Sequence, residues 1–75
     1  MKIKVYVTLK KGVLDPQGQA VARTLARTGF PEVADARIGK YIELDVADST
    51  PRERVEVMCK QLLANTVIED YRIES

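Results

Sequence analysis

Residues 2–10, KIKVYVTLK, set Ile3, Val5, Val7 and Leu9 against Lys2, Lys4, Tyr6, Thr8 and Lys10. This strict alternation, rich in β-branched residues, predicts a strand with one buried and one wet face. Gly12 marks a loop over 11–14. Asp15-Pro16 then reads as a helix start: an aspartate side chain accepts from free N–H groups, and proline suits the first helical position. Val21 and Leu25, with Ala20, Ala22 and Ala26, give a modest apolar face to a helix from about 16 to 28. Gly29 follows as the residue free to take positive φ, and Phe30 lies where a Schellman motif places a hydrophobic contact.

Beyond Phe30, residues 32–38 (EVADARI) predict a weaker strand and residues 40–47 (KYIELDVA) a stronger one. Ile42, Leu44 and Val46 alternate with Tyr41, Glu43 and Asp45. Gly39-Lys40 suits a two-residue II′ hairpin between the two strands. The alternative is one long strand bent at a glycine bulge. Thr50 and Glu53 form a capping-box pattern around Pro51. Val55, Met58, Cys59, Leu62 and Leu63 then follow the helical stripe, with Asn65 as its stop. A last strand over 67–74 places Val67, Tyr71 and Ile73 on one face. The expected fold is α+β, in the order β-α-β-β-α-β. It would form a four-stranded antiparallel sheet with both helices on one face, the ferredoxin-like arrangement.

Charge refines this picture. Twelve Lys and Arg against eleven Asp and Glu give a net charge of +1, which exerts no long-range pull on nucleic acid or an anionic membrane. Locally the balance is uneven. Residues 1–12 carry four lysines and no acid, whereas residues 67–75 carry Glu69, Asp70 and Glu74 against Arg72. Complementary charge suits neighbouring first and last strands. The 75 residues are enough for one domain, spanning 1–75, with a thin core that oligomerisation would extend. No apolar run approaches the roughly 20 residues of a membrane span, and lysines interrupt any signal-peptide core, so the cytoplasm is the expected location.

Candidate chemistry is sparse. One cysteine and no histidine exclude an intrachain disulfide, a Cys/His zinc site and a histidine-based triad. KKGVLDPQG matches neither a P-loop nor a dinucleotide fingerprint. Cys59 lies on the apolar helix stripe with nothing to activate it and reads as a buried structural thiol. Glu43/Asp45 and Glu69-Asp70 read as solvated or cross-strand-paired acids. The wet sheet face would carry Lys4, Tyr6, Thr8, Tyr41, Glu43 and Asp45. Its tyrosines admit an RNA-recognition reading, since such modules stack bases on central-strand aromatics. The acids beside Tyr41, the missing signature and the net charge oppose it. Protein–protein contact explains exposed tyrosines better. A small-molecule-binding regulatory module of this topology is the alternative reading.

Three segments carry a family resemblance: KKGVLDPQG (10–18), GFPEVADARIGKYIEL (29–44) and CKQLLANTVIEDYRIE (59–74). Their order and spacing resemble PurS, the small subunit of formylglycinamide ribonucleotide amidotransferase (phosphoribosylformylglycinamidine synthase) of de novo purine biosynthesis. The resemblance implies a ligase-complex subunit without catalytic residues of its own, self-associating as a dimer or tetramer. It implies two partners. A PurQ-type glutaminase releases ammonia from glutamine. A PurL-type synthetase uses ATP, Mg and that ammonia to make the amidine. It implies that this chain bridges them and assists ammonia transfer, binding no cofactor, metal, nucleic acid or membrane itself. Interface candidates are Lys11, Gly12, Val13, Leu14 and Asp15 in one loop and Arg37, Gly39, Lys40 and Tyr41 in the other, with Tyr6 and Tyr71 as weaker candidates. Arginine and tyrosine are the types that anchor interfaces.

Overall fold

The computed structural model describes residues 1–75. The elements run β1 (Lys2–Leu9), α1 (Pro16–Arg27), β2 (Lys40–Asp45), α2 (Arg52–Met58), a π-helical turn (Cys59–Leu63) and β3 (Glu69–Glu74). β1 is the central strand of a three-stranded sheet in the order β2-β1-β3, antiparallel on both sides. Register follows the alternation of β1. Val5 lies opposite Ile42 and Ile73, while Lys4 lies opposite Glu43 and Glu74. The first and last strands are neighbours, as their charges require, and Lys10 Nζ lies 3.8 Å from Asp70 Oδ1.

The core lies between the inner face of this sheet and α2. Ile3, Val5, Val7 and Ile73 meet Val55, Cys59 and Ala64, with Ile42, Leu44, Val46, Leu63 and Tyr71 half-buried around them. The widened turn is closed by the Ala64 N–H, which donates to the Cys59 carbonyl at 2.9 Å. That five-residue step turns Leu62 out to 84% exposure while Ala64 is buried. A regular 3.6-residue stripe would have carried Leu62 inward. Helix α2 begins on Pro51 with no side-chain cap, so Thr50 and Glu53 do not form the expected box. β2 ends at Asp45, two residues early, and Val67 is exposed in a turn ahead of β3. Asn65 organises that turn: its Oδ1 accepts from the Val67 N–H and its carbonyl from Ile68 and Glu69.

The larger correction concerns residues 12–39. Residues 32–38 form no strand, so the sheet has three strands and there is no hairpin at Gly39-Lys40. A II′ turn needs positive φ at its first residue, and only Gly12 and Gly29 have it. Local acceptors have claimed the segment's donors. Val33 N–H bonds the Phe30 carbonyl, Ala36 N–H the Asp35 side chain and Ile38 N–H the Asp15 side chain. Helix α1 ends in the expected Schellman geometry, with Gly29 at φ +111° and Phe30 N–H on the Leu25 carbonyl at 2.9 Å. Yet α1 contributes nothing to the core, and its only buried residue is Gly18. Helix and return segment form an arm projecting from the sheet. The molecule measures 49 × 24 × 14 Å with a radius of gyration of 15.7 Å. A compact chain of this length has about 11 Å.

Candidate functional site

The two loops singled out in the sequence meet where the arm leaves the sheet, and Asp15 is the joint. Asp15 is buried. Its Oδ1 accepts the Gly18 N–H at 2.9 Å, the expected helix cap. Its Oδ2 accepts the Ile38 N–H at 2.8 Å and lies 3.9 Å from Arg37 Nε. Arg37 also donates to the carbonyls of Leu9 and Lys10 at 3.4 and 3.3 Å. The N–H groups of Ile38 and then Gly18 hold the Asp15 carboxyl below its ordinary range. Burial opposes them and the Arg37 charge adds to them. Two glycines allow this closeness. A side chain at Gly18 would collide with the Ala36 carbonyl, and one at Gly39 would stand 2.5 Å from the Val7 carbonyl oxygen.

Beside this joint lies an open cleft of about 470 Å³, lined by Val7, Leu9, Asp15, Pro16, Gln17, Ile38, Gly39, Lys40 and Glu69. Lys40 Nζ lies 3.9 Å from Glu69 Oε2, and the Glu69 side chain is only 14% exposed. Glu69 Oε1 accepts the Asn65 N–H at 2.7 Å. Sequence reasoning missed Glu69 because it paired that residue with Asp70. The alternation of β3 sends the two to opposite faces, and Glu69 lies opposite Leu9 on the inner side.

The structure divides the remaining candidates. Lys11, Val13 and Leu14 stand on the other side of Asp15, with Leu14 exposed and Gly12 at φ +90°. Tyr41 turns to the outer face of the sheet. It meets Tyr6 there with ring centroids 5.2 Å apart, and Arg72 caps Tyr6 at 4.4 Å from its centroid. Tyr6 Oη donates to Glu74 Oε1 at 3.4 Å. Desolvation, followed by the charge of Glu43 and a hydrogen bond to it, raises the Tyr41 hydroxyl above its ordinary range. Tyr71 packs against the core. Burial, followed by the charge of Glu56, pushes the Cys59 thiol up. At the joint Asp15 lies against Arg37 and Glu69 against Lys40, each at 3.9 Å. This geometry secures backbone and offers an aromatic and basic surface.

The fold defines a small α+β module that covers one sheet face with its own second helix and carries its first helix clear of the sheet. The family profile described as PurS, phosphoribosylformylglycinamidine (FGAM) synthase, matches residues 2–75. The chain belongs to the PurS family. It is 56% identical over 75 residues to phosphoribosylformylglycinamidine synthase subunit PurS of Bacillus subtilis (strain 168), covering 97% of this chain and 89% of that one. A solved structure of B. subtilis PurS superposes with a TM-score of 0.89 over 97% of this chain and 94% of that chain, at 56% identity. The Methanocaldococcus jannaschii PurS structure gives 0.86 at 43% identity, over 97% and 92%. A chain of the PurLQS structure from Thermotoga maritima gives 0.78 at 26% identity, over 97% and 93%.

Proposed function

We propose that this chain is the small, non-catalytic subunit of phosphoribosylformylglycinamidine synthase, bridging a PurQ-type glutaminase and a PurL-type synthetase. The observation that carries this reading is family membership along residues 2–75, joined by the likeness to a chain of the T. maritima PurLQS assembly. Self-association as a dimer or tetramer belongs to the same reading, supported by the exposed Leu14, Val21 and Phe30 of the arm. ATP and Mg are used by the synthetase partner, and the complex works in the cytoplasm. No helix here is long and apolar enough to cross a membrane.

The chemistry explains why a positioning subunit is useful. Ammonia in bulk water at neutral pH becomes ammonium and loses its nucleophilic lone pair. Transfer between two active sites therefore calls for a closed path, and a rigid module ordering two catalytic chains helps to form one. The loops joined at Asp15 and the Tyr6–Tyr41–Arg72 surface are the contacts assigned to partners. The test is amidine formation by the two catalytic subunits with and without this chain. Glutamine-dependent turnover that needs the chain, with ammonia-dependent turnover needing it much less, supports the coupling role. Indifference of both activities overturns it.

A further inference from the structure

We propose that the cleft at the joint of arm and sheet binds a free α-amino acid with an aliphatic side chain, its ammonium on Glu69 and its carboxylate on Lys40. This goes beyond the bridging role and does not depend on it. The cleft holds about 470 Å³, within the roughly 300–1,000 Å³ usual for small-ligand sites. Its charged groups come from the two strands that flank β1. Lys40 of β2 lies opposite Val7 and Glu69 of β3 lies opposite Leu9, so both stand on the inner face of the sheet. They meet there with Nζ 3.9 Å from Oε2. That distance is too long for a hydrogen bond. Glu69 Oε1 is engaged by the Asn65 N–H, but Oε2 and the Lys40 ammonium hydrogen-bond no group of the chain. An α-amino acid carries the complementary ammonium and carboxylate on a single carbon. Its entry replaces one loose ion pair with two charge-assisted hydrogen bonds.

The rest of the cleft sets the class of ligand. Val7, Leu9 and Ile38 give apolar surface beside the charged pair, which suits an aliphatic side chain. Gln17, exposed at the rim, brings an amide donor for the second carboxylate oxygen. Asp15 lines the same cleft, but the N–H groups of Gly18 and Ile38 hold its two oxygens, so Glu69 is the acid open to an ammonium. One base against two acids does not suit a nucleotide or another polyanion. Arm and sheet both line the cleft, so an occupant ties one to the other and stabilises the folded chain.

The test is titration of the whole isotope-labelled chain with L-leucine, followed by amide chemical shifts and by melting temperature. Saturable shifts centred on Gly39, Lys40 and Glu69, with a raised melting temperature, are the expected result. Isocaproate, which lacks the ammonium, and isoamylamine, which lacks the carboxylate, should each bind about tenfold or more weakly. Lys40→Gln and Glu69→Gln should each weaken leucine binding by about tenfold or more while circular dichroism stays unchanged. The Lys40 side chain is 62% exposed, and a glutamine at 69 can still accept the Asn65 N–H, so the fold tolerates both changes. No saturable shift with leucine overturns the proposal. So does an equal response to isocaproate, to isoamylamine or to ammonium chloride. Either result leaves the bridging role standing, because that role is read from turnover of the assembled subunits.

Discussion

The carboxylate of Asp15 accepts the backbone N–H of Ile38 at 2.8 Å, across 23 residues of sequence. One side chain thereby caps the arm's helix and fastens its return segment. The acceptor is a buried, charged carboxylate that also takes the Gly18 N–H, so removing the carboxylate strands two N–H groups at once. Asp15→Asn should lower the melting temperature measurably. Asp70→Asn, at an exposed pair, should stay within about 0.5 kcal/mol of the parent.

The same contact sets an acid response. The folded-state pKa of Asp15 lies below its ordinary value of 3.8, so the unfolded chain binds the proton more readily. The stabilisation is therefore complete above pH 3.8 and is lost as pH falls through the folded-state value. Urea midpoints followed between pH 6 and pH 2 should show a steeper acid decline in the parent than in Asp15→Asn.

Glycine to alanine inside an exposed helix ordinarily stabilises by about 0.5–1 kcal/mol. Gly18→Ala should do the opposite, costing about 1–3 kcal/mol, because the new methyl meets the Ala36 carbonyl. Gly29→Ala has open space around it but must hold φ at +111°, costing about 1–2 kcal/mol. Chemical denaturation of the two variants separates collision from backbone strain. A stabilised Gly18→Ala would mean that the arm's return segment does not lie against α1.

Much of the sheet was legible because the alternation in residues 2–9 fixes which side chains point inward, and Ile42, Leu44 and Ile73 supply matching partners. Asp15 announced itself as a cap. The arm was not legible. EVADARI offers only Val33 and Ile38 as strand formers, and Asp35 and Asp15 take N–H groups of the segment, a competition that no periodicity reveals. Leu62 misled for a related reason. A π-turn adds a residue to the helical step, and the stripe from Val55 onward gives no sign of it. Among the interface candidates, Asp15 and Arg37 were read in separate loops, and nothing in their spacing showed that they meet or that Tyr41 turns away from Lys40 to meet Tyr6.

Cys59 is fully buried and its thiol is raised above the ordinary range by desolvation. Labelling with a thiol reagent at neutral pH should be slower by about 100-fold or more in the native protein than in denaturant. Rapid labelling under native conditions would show that the turn at 59–63 opens readily.

Tyr41 is half exposed, its ring tilted against Tyr6 beside Arg72, a composition suited to a binding hot spot. Tyr41→Ala should weaken association with the catalytic subunits by about 2 kcal/mol, or roughly 30-fold. Lys11→Ala, at an exposed loop, should cost under about 1 kcal/mol. Calorimetric titration of the two variants decides whether the sheet face or the loop anchors the partner.

The order β2-β1-β3 also governs how the chain reaches this state. Tyr6 and Glu74, in contact across adjacent strands, are 68 residues apart in sequence. During synthesis the strand made first stays open along one side until the strand made last has emerged. Its alternating valines are meanwhile available to any passing β-edge. Because closure spans so long a loop, the chain should fold slowly for its size. A nascent chain halted before β3 would then be a substrate for chaperones or proteases.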